Sequence, residues 1–177
     1  LAANWTAGSD AHSGVRDYGY CFSTNTNCGG TIVSGGTSSY VAATNISPGC
    51  LTLTQGTQYF ACIKTRDNAI DSLGNPGNES GWACSNGARY DSVAPTNPST
   101  IADGPGTDID WVASTTQLQA NWNAGTDATS GIADYDWCFT TNNANSCGAA
   151  GRVAVGTNLA ATSVTSTSSV TPSRRCS

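Results

Sequence analysis

LAANWTAGSDAHSGVRDYGYCFSTN, residues 1–25, returns as LQANWNAGTDATSGIADYDWCFTTN, residues 118–142. Trp5 maps onto Trp122, an offset of 117, and both copies keep a Trp, an Asp, a Ser-Gly, an Asp-Tyr and a Cys-Phe. Registration at so many independent points marks a tandem repeat. Within each copy apolar residues recur every second position, the spacing of a strand with one buried face. Leu1, Ala3 and Trp5 share a face; Tyr18, Tyr20 and Phe22 point inward while Asp17, Gly19 and Cys21 point outward. Copy two repeats the pattern with Tyr135, Trp137 and Phe139 inward and Asp134, Asp136 and Cys138 outward.

A third strand alternates through Tyr59, Ala61 and Ile63, with Phe60, Cys62 and Lys64 on its other side. No 3.6-residue apolar stripe interrupts this pattern, and Gly, Asn and Pro turns separate the strands, so the chain is expected to be all-β, a pair of sandwiches. DSVAPTNPSTIADGPGTDID, residues 91–110, combines Pro, Gly, Ser and Asp and reads as a linker. The boundary is placed near Ala94, giving repeats at residues 1–94 and 95–177.

Leu1-x-Ala3-x-Trp5, Asp10-x-x-Ser13-Gly14-Val15-x-x-Tyr18, and Leu53 six residues before Tyr59 together resemble segments B, C and E–F of fibronectin type III domains, an immunoglobulin-like fold. The resemblance makes Leu53 and Tyr59 a tyrosine corner, in which a buried phenol hydrogen-bonds to upstream backbone. DNAIDSLGNPGNES, residues 67–80, resembles a lengthened form of the turn between strands F and G in bacterial members. Such modules occur along secreted and surface proteins, beside adhesive or polysaccharide-degrading domains. The resemblance therefore implies a non-enzymatic structural or adhesive role, with an accessory carbohydrate-binding module as the alternative. Fold alone does not decide between them. Copy one starts at strand B and copy two stops before a tyrosine corner. Either the chain is a piece of a longer array, with flanking repeats as partners, or missing strands come from other copies by strand addition.

Eight cysteines without redox or zinc spacing imply disulfides and an oxidising, extracellular or cell-surface setting. Cys21 aligns with Cys138 and Cys28 with Cys147, so bridges Cys21–Cys28 and Cys138–Cys147 are expected, one per repeat. On the family resemblance Cys62 and Cys84 lie on neighbouring strands F and G, which favours a third bridge. Cys50 and Cys176 remain, with Cys50–Cys84 as a competing pairing. The absence of methionine, even at position 1, reads as a processed product or a fragment.

Twelve acidic residues against seven basic ones, with Lys64 the only lysine, disfavour nucleic-acid and membrane-surface roles. No apolar run is long enough to span a bilayer. His12 is the only histidine and is replaced by Thr129 in copy two, so it reads as a loop residue rather than a catalytic one. Asp10 and Asp17 recur as Asp127 and Asp134, which fits turn-forming aspartates better than a catalytic carboxylate pair. No nucleophile elbow, zincin or phosphate-loop motif occurs, and no enzyme is expected. Calcium is the metal that oxygen-rich loops would take, with Asp103, Asp108 and Asp110, or Asp67 and Asp71, as candidate ligands. Tyr40, Trp82 and Trp111 fall outside the clearest inward pattern and are candidate aromatics for surface glycans. Asn4, Asn45 and Asn78 begin N-glycosylation sequons.

Overall fold

A computed structural model describes residues 1–70, 73–75, 77–114, 116–141, 147 and 151–167. The chain divides into two compact units, Leu1–Ser92 and Val93–Ser177. Among the described residues regular structure is almost entirely β, and every ladder is antiparallel.

Unit 1 contains β1 (Ala3–Asn4), β2 (Val15–Ser23), a 3-10 turn (Thr26–Cys28), β3 (Ile32–Val41), β4 (Asn45–Ile46), β5 (Gln58–Asp67), β6 (Ala83–Cys84) and β7 (Ala88–Arg89). β1 pairs with β4, while the larger sheet runs β3-β2-β5-β6, with β7 beside the start of β5. The register sets Tyr20 opposite Ile63, Cys21 opposite Cys62 and Phe22 opposite Ala61. Period-two alternation then gathers Tyr18, Tyr20, Phe22, Tyr59, Ala61 and Ile63 on one face. Tyr18, Phe22 and Tyr59 are sealed there. The Trp5 ring meets Tyr18 edge-on, centroids 5.6 Å apart at 69°, the geometry that ring quadrupoles favour. The Tyr59 oxygen accepts a hydrogen bond from the Thr54 amide at 2.9 Å. This contact gives the buried phenol a polar partner.

The opposite face departs from expectation. Gly19 and Cys21 are buried rather than turned to solvent. That face is covered by Tyr40, by the Lys64 stem and by two adjacent disulfides, so both sides of β2 are packed. Gly19 is needed for this, because a Cβ there would come within 2.8 Å of Lys64 carbons.

Unit 2 contains β8 (Ile101–Asp103), β9 (Leu118–Trp122), β10 (Tyr135–Thr140), β11 (Arg152–Leu159) and β12 (Ser163–Ser166). They form a sheet β12-β9-β8 and a pair β10-β11. Trp122 packs on Tyr135 at 5.6 Å and 69°, repeating the Trp5–Tyr18 contact. One detail differs from the linear reading. Ile101–Asp103, inside the expected linker, is a strand set against β9 with Ile101 opposite Trp122. The serine- and threonine-rich stretch also supplies a strand, β12, with Val164 opposite Ala120. No helix among the described residues is long and apolar enough to cross a membrane.

Candidate functional site

The best-organised polar constellation lies on the outer face of unit 1. Residues i and i+2 of a strand project to one side, so β5 presents Lys64 and Arg66 together. Across the sheet, β2 supplies Asp17 and β3 supplies Tyr40. Arg66 grips Asp17 through two parallel bonds, Nε to Oδ1 at 2.8 Å and NH2 to Oδ2 at 2.7 Å. The arginine carbon sits 3.7 Å from the centre of the Tyr40 ring. Lys64 Nζ stands 5.4 Å from that ring and 5.0 Å from the Trp82 ring. Its charge is met by Glu79 Oε2 at 2.6 Å and by the Thr37 carbonyl at 3.2 Å. The Tyr40 hydroxyl donates to the other Glu79 oxygen.

The result is a ladder in which cations alternate with aromatic rings and each cation also has a carboxylate. Cation–π contacts contribute about 0.5–2 kcal/mol apiece, rising with desolvation. Burial pulls the Lys64 ammonium down, but its hydrogen bonds to Glu79 and Tyr40 outweigh this and hold its pKa above 10.5. The Asp17 hydrogen bonds raise Arg66 further. The Lys64 and Tyr40 contacts push the Glu79 carboxyl below its ordinary 4.5. The shifts of Lys64, Arg66 and Glu79 all run away from neutrality. Charges paired in this way cross-link β2, β5 and the segment that carries Glu79.

Of the candidate glycan aromatics, Tyr40 and Trp82 meet at Lys64, whereas Trp111 belongs to unit 2 and is 89% exposed. Asp108 Oδ1 accepts from the Asp103 backbone amide at 2.9 Å. Asp103, Asp108 and Asp110 form no convergent ligand set. Among the described residues the only three metal-type ligand atoms within 4.8 Å of one another are the sulfurs of Cys21, Cys28 and Cys62. These are committed to disulfides. Asp67 Oδ1 accepts from the Ala69 and Asn78 amides, and the side-chain bond from Asn78 is the largest cause holding its carboxyl below 3.8. Asp71 lies outside the described residues.

Asp10 and Asp127 do the same job in the two repeats. Asp10 Oδ1 accepts from the amides of His12, Ser13 and Gly14 at 3.1, 2.7 and 3.0 Å. Asp127 Oδ1 accepts from Thr129, Ser130 and Gly131 at 2.9, 2.7 and 3.2 Å. Gly14 and Gly131 close these loops at φ of 73° and 76°, a region where side chains are strained. His12 contributes its backbone amide to this loop.

The cysteines close as Cys21–Cys28, Cys62–Cys84 and Cys138–Cys147. Cys84 is thereby taken from Cys50, which is exposed with a free thiol; Cys176 lies outside the described residues. Several disulfides suit an oxidising compartment. Sequence reasoning did not assemble the ladder, because Tyr40, Glu79 and Trp82 join it through strand register. The one available signal was a lone lysine two residues before an arginine in an alternating strand. Comparison with protein-family models, curated proteins and solved structures finds no match for this chain.

Proposed function

We propose that the chain is a non-enzymatic extracellular module, part of a structural or adhesive array of fibronectin type III-like sandwiches stapled by disulfides. The observation that carries this reading is that the two units hold overlapping portions of one strand plan. Unit 2 contributes β8 ahead of β9, in the place of a strand A. Unit 1 contributes β5, β6 and β7, in the places of F and G. Merged through their common strands, they order as A-B-E in one sheet and C′-C-F-G in the other, the immunoglobulin-like arrangement. The Tyr59–Thr54 hydrogen bond supports it, lying where a tyrosine corner belongs. Polar groups spent on loop capping and strand cross-linking support a scaffold over a catalyst.

The test is mass and shape in solution, by light scattering and negative-stain microscopy of unreduced protein, beside polysaccharide retention and hydrolase screens. Defined compact particles or fibres without sugar binding or turnover are expected. Specific polysaccharide retention would replace this reading with a carbohydrate-binding module, and turnover would replace it with an enzyme.

A further inference from the structure

The two bridges of unit 1 are neighbours. Register sets Cys21 opposite Cys62 and Cys62 opposite Cys84, so three cysteines stand in one row across β2, β5 and β6. The 3-10 turn folds over this row. Its Cys28 closes on Cys21, and the Asn27 amide beside it donates to Cys84 Sγ at 3.3 Å. The sulfurs of Cys21, Cys28 and Cys62 come within 4.8 Å of one another, and Cys84 is bonded to the last of them. Cys21 and Cys62 are wholly buried. The grouping has no signature along the chain, because strand register assembles three of its members and a turn supplies the fourth. The ladders that hold the row together are main-chain bonds, which reduction of the disulfides leaves in place.

We propose that unit 1, once both bridges are reduced, binds one thiophilic divalent cation, zinc or cadmium, through Cys21, Cys28, Cys62 and Cys84. This goes beyond the module reading and does not rest on it. Four thiolates around a tetrahedral zinc, at Zn–S distances of about 2.3 Å, lie about 3.8 Å apart. The unbonded sulfurs of the trio therefore draw in by at most about 1 Å, and each bonded pair parts by about 1.8 Å. A phosphine supplies the two electrons that each bridge takes. It leaves as its oxide, with water giving the oxygen and the two thiol protons. The metal then displaces protons from the thiols, because the thiolate is the ligand. One row of sulfurs thus ties β2, β5, β6 and the turn together in either state, by disulfides when oxidised and by a metal when reduced. Unit 2 is the internal comparison, since among the described residues no further cysteine converges on Cys138–Cys147.

The probe is zinc or cadmium ion alone, added to the full chain held reduced by a phosphine. One ion per chain is expected in native mass spectrometry, with hydrogen exchange slowed in β2 and β5 relative to the reduced, metal-free chain. Cys21, Cys28, Cys62 and Cys84 should resist alkylation, while Cys50, Cys138 and Cys147 react. Cys62→Ser should weaken binding at least roughly a hundredfold, more than the loss of a group that only supports a ligand. Cys28→Ser, in the turn and outside the ladders, should weaken it likewise, which separates a lost ligand from a lost sheet. Cys50→Ser and the paired change Cys138→Ser with Cys147→Ser should leave binding unchanged. No retained metal, metal retained by both the Cys62 and Cys28 variants, or metal lost with Cys50 or the unit 2 pair would overturn the proposal. So would retention without slowed exchange in β2 and β5, which is capture by an unfolded chain.

Discussion

Tyr59 shows how much a single polar contact can weigh when its surroundings are dry. Its ring is 3% exposed and its oxygen takes the Thr54 amide. Tyr59→Phe keeps the ring but leaves that amide without its acceptor. A loss of about 1 kcal/mol is expected, the usual net worth of such a bond, read from urea unfolding of the unit 1 transition. Glu79 sets a pH dependence. Its carboxyl lies below 4.5 when folded, so the unfolded chain binds a proton more readily. Stability from this group is therefore fully present above pH 4.5 and lost as pH falls through the lower folded value. Denaturation midpoints between pH 6 and pH 3 should fall less steeply for Glu79→Gln than for the parent, and equal slopes would remove Glu79 from the acid response. The loop aspartates were legible because each repeat spells Asp-x-x-Ser-Gly. The Glu79 contacts were not, since nothing local ties residue 79 to residues 40 and 64.

At the scale of elements, alternation identified β2, β5, β9 and β10, because a half-buried strand must alternate. It could not show that the second face of β2 is also covered. That depends on which strands flank it and on the disulfides they bring. β8 was hidden for a related reason. Only three residues long and set among Pro and Gly, it becomes a strand because β9 offers it a partner. The bridges span 7, 22 and 9 residues. Loop entropy assigns about 2.5 kcal/mol to each short bridge and about 3.4 kcal/mol to Cys62–Cys84. Replacing Cys62 and Cys84 together by serine should therefore lower unit 1 stability more than replacing Cys21 and Cys28, a ranking that urea midpoints of the two variants will check.

Across the whole molecule, the repeat was visible from the first lines of sequence, but the different surroundings of its matched strands became concrete only with the sheets drawn. β2 is enclosed on both edges and both faces, whereas β10, among the described residues, is paired on one edge and has a half-buried core. Local stability follows buried contact and protected hydrogen bonds. Amides of β10 should thus exchange at least roughly tenfold faster than those of β2 in the unreduced chain, and equal rates would show that the second paired edge of β2 adds nothing. The same disulfides matter under tension. A chain pulled from its ends can lengthen only along segments that no bridge short-circuits. At ~3.5 Å per residue, the separations of 7 and 22 in unit 1 withhold about 100 Å of extension until their sulfurs are reduced. If such modules bear load between a cell and a surface, their reach is set by the redox state of the medium as well as by the force applied.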